Sequence, residues 1–175
     1  MAHKKWLYRG GRPNPAAKMM NNFWALLHSL GIAHNYLVTL EVIGRKSGKV
    51  IRFPLVMLVQ GEERYLVSKL GAEANWVRNI RAAGGKATLR HGIREVVILE
   101  EMDIQERAVI IKAYLQIAPG ARPHIPVDKD APIAEFEQIA PKIPVFRIRA
   151  MDLTEAKKAG GILNEPDPCK HKLRA

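Results

Sequence analysis

Cysteine is almost absent: Cys169 is the single one in 175 residues. A disulfide within the chain is excluded, and a zinc site built on thiolates would lack its ligands. Long apolar runs are missing too, and no stretch approaches the ~18–20 residues a membrane span requires. The opening MAHKKWLYRGGRPNP carries charge but no apolar segment of the kind a secretory signal needs. These absences lead us to expect a cytoplasmic protein held together by packing, and peripheral membrane contact has no support in the sequence. Aromatics are few, at 6%, which works against a stacking platform for single strands. Acids are few as well: 17 Asp+Glu stand against 28 Lys+Arg, a formal charge of +11. Such a surplus ordinarily complements a polyanion: nucleic acid, anionic lipid, or a small molecule rich in phosphate and carboxylate.

What is present fits a globular domain, with 47% apolar and 26% charged residues and a length that one core can serve. Asn14-Pro15 reads as a helix start, followed by Met19, Met20, Phe23, Trp24, Leu27 and Leu30 at helical spacing and a stop at Gly31. Alternation then predicts strands over Leu37–Ile43, Val50–Val59 and Arg64–Ser68, with a tight turn at Gly44–Gly48. Pro54 interrupts the second strand and marks an edge, a bulge or a break facing a ligand. A helix over Asn75–Ala83 precedes a second hairpin, Lys86–His91 with Ile93–Glu101. Asp103 and Glu106 stand at capping-box spacing before a helix that buries Ala108, Ile111, Tyr114 and Leu115. The stretch Pro119–Pro132 reads as mostly irregular. A short helix, Ile133–Ile139, and a last strand, Val145–Arg149, complete the pattern. Strands arriving as hairpins without regular crossovers predict an α+β fold, an antiparallel β-barrel with flanking helices. We divide the chain into an N-terminal extension (1–13), a barrel domain (14–150) and a basic C-terminal tail (151–175).

Two constellations carry chemistry. Gly44-Arg45-Lys46-Ser47-Gly48-Lys49, with Arg52 beyond, reads either as an anion cradle of backbone amides, hydroxyl and cations or as a basic hairpin turn. The second is Ser68-Lys69 followed by Asn75-Trp76-Val77-Arg78-Asn79, where a helix N-terminus would offer free amides and Arg78 and Arg81 would extend the positive field. Trp76 could stack on a planar ligand or sit in the core. Cations dominate the whole of 64–94, where Glu73 is the one acid. The histidines form no metal-binding spacing, so no metal site is expected. No serine lies in a nucleophile elbow. The acids Asp128, Asp130, Glu135 and Glu137 read as solvated, and Cys169-Lys170-His171 as idle.

The segments TLEVIGRKSGKVIRFPLVM, YLVSKLG, NWVRNIRAAGGKATLRHG and PVFRI resemble the deazaflavin (coenzyme F-420)-dependent nitroreductase family, over about Asn14 to Arg149. The resemblance implies a split β-barrel of the FMN-binding type and an 8-hydroxy-5-deazaflavin cofactor. It implies that Arg45, Lys46, Ser47 and Gly48 hold the cofactor phosphate, that Pro54 lies near the ring, and that Ser68, Lys69, Trp76 and Asn79 line the ring or the anionic tail. Asn75, Arg78 and Arg52 join the cofactor-binding set. Two departures stand out: Ile51 occupies a position where better-studied members carry arginine, and no tyrosine follows Tyr114.

The resulting expectation is an oxidoreductase that binds reduced F-420 and passes hydride to a small electrophile, a quinone, enone or nitro compound, as a monomer or homodimer. A strongly cationic groove suits an anionic cofactor. FMN ranks below F-420. The rivals are the same fold holding FMN, haem or a fatty acyl chain without F-420 chemistry, and a basic barrel that binds nucleic acid, though no nucleic acid is expected as partner. For the substrate side, Arg122 and His124 on the Pro-rich stretch are the candidates, His124 as proton donor. The competing reading pairs Arg122 with Asp128 or Asp130 and leaves His124 as a loop cap.

Overall fold

The computed structural model describes Tyr8–Arg9, Arg12–Pro13 and residues 36–151. The helix expected after Asn14 and the tail from Leu153 lie outside the described residues. Tyr8–Arg9 (β1) and Arg12–Pro13 (β2) form a two-residue antiparallel pair.

Six strands close an antiparallel barrel: Leu37–Ile43 (β3), Val50–Gln60 (β4), Glu63–Val67 (β5), Lys86–His91 (β6), Ile93–Glu101 (β7) and Val145–Ala150 (β8). Around the barrel their order is β3-β4-β5-β8-β7-β6, and β6 returns to β3. Closure leaves little of the free edge that an open sheet would expose. With the helices beside it, this is the α+β antiparallel barrel expected from the hairpin pattern, of the split type that the resemblance implies.

The two-residue period of each strand separates two cores. Val38, Leu40 and Val42 of β3, Met57 of β4, Leu66 of β5, and Phe146 and Ile148 of β8 face the barrel interior. Their neighbours Val56, Leu58, Tyr65, Val67 and Val145 point outward into a second cluster. That outer layer is covered by Ile104–Ile117 (α2) and Ile133–Ile139 (α3), which supply Ala108, Ile111, Tyr114, Leu115 and Phe136. Asn75–Ala82 (α1) sends Trp76, Val77 and Ile80 into the interior cluster. Each such fully buried side chain contributes about 1.5–3 kcal/mol.

One local expectation needs correcting. Asp103 sits at the N-cap of α2, but neither it nor Glu106 makes a side-chain capping bond; the Glu106 N–H instead donates to the Asp103 carbonyl at 3.1 Å. Within the Pro-rich stretch, expected to be mostly irregular, the first six residues, Pro119–His124, form a 3-10 helix and the rest is irregular.

Strand β4 explains where the barrel opens. All of Val50–Val56 pairs with β3, but β5 joins β4 only from Met57 onward. The other side of β4 is therefore an edge at Pro54, where a residue without an N–H interrupts no ladder.

Candidate functional site

A cavity of about 420 Å3 lies at that edge, lined by Gly44, Arg45, Lys46, Ser47, Ile51, Arg52, Phe53, Pro54, Asn75 and Asn79. Its size falls within the range of small-molecule sites. The β3–β4 turn, the first half of β4 and the start of α1 thus meet at one place, although α1 is some thirty residues from the turn.

The turn is built tightly. Gly44 N–H donates to Lys49 O at 2.8 Å, Ser47 and Gly48 N–H donate to Gly44 O, and Lys49 N–H donates to Ser47 Oγ. A Cβ on Gly44 would stand 2.6 Å from Ile51 Cδ1 and 2.7 Å from Ser47 Oγ, while Gly48 adopts φ of +64°. The Arg45 N–H is also engaged, with Asn79 Oδ1 at 3.3 Å. This corrects the picture of an amide cradle: the amides of residues 44, 45, 47, 48 and 49 hold the turn itself. The groups left for an anion are the side chains of Arg45, Lys46 and Ser47.

Asn79 is 2% exposed, yet its carboxamide oxygen reaches Arg45 Nη1 at 2.8 Å, and Asn75 Oδ1 lies 3.5 Å from Arg45 Nη2. Ala74 at the helix N-cap provides no side-chain bond. Arg52 donates from Nε to Glu41 Oε1 at 2.7 Å. The lining thus holds three cations and no carboxylate.

Other candidates fall elsewhere. Trp76 is buried and tilts against Phe146 with ring centroids 5.3 Å apart, a core contact. Ser68 donates from Oγ to Gly71 O at 2.7 Å and fixes the turn that leads into α1. Lys69 donates to Gly120 O at 3.0 Å, and burial lowers its pKa. Arg78 pairs with Glu73. Arg122 pairs with neither Asp128 nor Asp130. It donates to Leu115 O and Gln116 O at the end of α2. His124 is exposed, and neither Arg122 nor His124 lines the cavity.

The positive field between residues 64 and 94 is also weaker than the local count implies. Carboxylates of β7 cross to it: Glu95 takes a bidentate pair from Arg64, and Glu101 takes one from Arg81. These bonds lower the pKa of both glutamates. Sequence reasoning missed Glu41 and Phe53. Glu41 had a signal: it is an acid inside an apolar strand, and the hairpin register sets it opposite Arg52.

The family model for F420H(2)-dependent quinone reductases matches residues 24–106. The matched segment, just under half of the chain, is similar to that family. Every residue lining the cavity falls within the quinone-reductase match. Among solved structures, a protein of unknown function from Agrobacterium tumefaciens superposes with a TM-score of 0.51 at 12% identity, covering 74% of this chain and 55% of that one. This chain thus spans about half of that protein's length. A domain-swapped dimer matches at a TM-score of 0.48 and 18% identity, over 78% of this chain and 100% of the other. An F420-H2 dependent reductase matches at 0.42 and 22% identity, over 65% and 94%. No curated protein matches the chain by sequence.

Among the described residues, no group of three or more His, Cys, Asp or Glu could hold a metal ion. No described helix is long and apolar enough to cross a membrane.

Proposed function

We propose that the protein is an oxidoreductase that binds reduced coenzyme F-420 in the cavity beside Pro54 and serves hydride transfer to a small electrophile such as a quinone. The observation that carries this reading is the lining itself. Arg45, Lys46 and Ser47 converge with Arg52 at a barrel edge, with no acid among them, inside the segment that matches the quinone reductases. A phosphodiester and carboxylates fit that donor set. When bound, the cofactor supplies the hydride, and the protein's part is binding, orientation and exclusion of water.

Each part has residues in place. Arg45, braced by Asn79 and Asn75, presents a guanidinium whose direction is fixed before a ligand arrives. Lys46 and Ser47 add a point charge and a hydroxyl from the same turn. Phe53, Pro54 and Ile51 offer apolar surface for a planar ring. Ile51 in place of arginine moves the β4 cation to Arg52, which leans on Glu41. A proton for the reduced product comes from solvent in this scheme, because His124 does not line the cavity.

The nucleic-acid reading has little to stack on among the described residues: Tyr65, Trp76, Tyr114, Phe136 and Phe146 are buried, and Tyr36 and Phe53 are half-buried. FMN presents a phosphate to the same turn, so the test must separate the two cofactors. Fluorescence titrations with F-420, FMN and a short single-stranded oligonucleotide provide it. The reading requires F-420 to bind most tightly and to weaken with salt. Tighter binding of FMN would move the protein to flavin chemistry, and tighter binding of the oligonucleotide would end the enzyme reading.

A further inference from the structure

Glu41 is the most buried charged side chain among those that form ion pairs in the described residues, with 2% of its side chain exposed, and three arginines surround it. Arg52 Nε is 2.7 Å and Arg90 Nη1 3.5 Å from Oε1, and Arg94 Nη2 is 3.3 Å from Oε2. The arginine side chains are themselves 51%, 55% and 36% exposed. One carboxylate thus gathers three guanidiniums that still face water, and two positive charges remain uncompensated within the cluster. Oε2 accepts no hydrogen bond, and among the described residues the side chains of Arg90 and Arg94 donate none. Their donors are held near the carboxylate by charge without being saturated by it.

The cluster is continuous with the cavity. Arg52 belongs to both. Pro54 of the cavity wall pairs with Thr39, Thr39 with Arg90, and Arg90 with Arg94, so one row crosses four strands. At about 4.8 Å per strand, Arg90 stands roughly 10 Å from Pro54 and Arg94 roughly 14 Å. From these placements we infer that Arg52, Arg90 and Arg94 form a second anion subsite, taking a carboxylate or phosphate group of a ligand seated in the cavity. Glu41 is its positioning residue: it fixes the guanidiniums and tempers their charge. Guanidiniums suit such oxygens because their planar forks match them bidentately. The inference rests on the cavity's being a ligand site, as in the function proposed above, and the group could be carried by the cofactor or by the electrophile.

The test uses the full chain and three measurements. Inorganic pyrophosphate, titrated against the arginine Nε–Hε resonances of the wild type, Arg90→Gln/Arg94→Gln and Glu41→Gln, reads the subsite without any cofactor. The subsite requires shifts at Arg90 and Arg94, binding weakened about tenfold or more in the double variant, and binding strengthened about threefold or more at low salt in Glu41→Gln, which removes a nearby negative charge. Glu41→Gln keeps every arginine, so it decides the matter even if the double variant folds poorly. Shifts confined to Arg45, or no gain in Glu41→Gln, would overturn the inference. The F-420 dissociation constant and the KM for a carboxylate-bearing against a neutral naphthoquinone then identify the source. A change in the first assigns the group to the cofactor, and a rise in KM for the charged quinone alone assigns it to the electrophile. A change in neither would also overturn it. Failure of F-420 to bind the wild type would sink the proposed function while leaving the pyrophosphate result to decide the subsite.

Discussion

The carboxamide oxygen of Asn79 accepts two bonds from one residue, the backbone N–H of Arg45 at 3.3 Å and its Nη1 at 2.8 Å, across 34 positions of sequence. A buried oxygen on α1 thereby sets both the path of the β3–β4 turn and the direction of its first cation. Asn79→Ala should lose both, costing ~1–3 kcal/mol of stability. It should also weaken F-420 binding beyond what partial unfolding explains, because Arg45 is released from its brace. Melting and titration on the same samples check this. Stability lost with affinity intact would reduce Asn79 to a structural role.

Gly44 makes a sharper steric test. Its Cβ position is occupied by the Ile51 and Ser47 side chains. Gly44→Ala should destabilise by about 1–3 kcal/mol, as overpacking does. Adding Ile51→Val removes the nearest atom and should recover part of the loss. No recovery in the double variant would show that the turn fails for another reason.

Acid stability should report the cross-strand pairs. Hydrogen bonds from Arg64 and from Arg81 hold Glu95 and Glu101 below the ordinary value of 4.5 in the folded protein. A carboxylate with a depressed folded pKa contributes stability that is present above the unfolded value and is lost as pH falls through the folded one. The melting temperature should therefore fall with rising steepness below about pH 4.5. Glu95→Gln/Glu101→Gln should flatten that fall. Equal slopes in the two proteins would remove these pairs from the account.

The barrel was legible because its period-2 strands and glycine turns are local signals, and all six barrel strands fall within about a residue of their expected bounds. The turn at 44–48 and Pro54 were legible for the same reason. The ion pairs were not. Glu95 and Glu101 lie beyond the basic stretch in sequence, and only the β6–β7 hairpin and barrel closure bring them back to Arg64 and Arg81. The two sides of Trp76 could not be told apart from helical spacing, since its depth depends on which end of the barrel α1 enters. Arg122 was read against nearby acids, but a 3-10 turn delivers it to the free carbonyls at the end of α2 instead.

His124 gives a negative prediction. A general acid typically contributes ~10²–10⁴-fold. His124→Ala should instead leave turnover within about twofold of wild type, well short of that range. A loss of a hundredfold or so would restore the histidine as proton donor. Arg122→Ala should lower the melting temperature, because two carbonyls of α2 lose their donor, without changing F-420 affinity.

The most direct measurement is the oxidation of reduced F-420 by a naphthoquinone, followed by the return of the oxidised chromophore's absorbance, with wild type and with Arg45→Ala/Lys46→Ala. The account predicts protein-dependent oxidation by the wild type. It predicts F-420 binding weakened by about 2–4 kcal/mol in the double variant, from two charged contacts with some sharing. Oxidation no faster than without protein, or a double variant that binds and turns over like wild type, would contradict it.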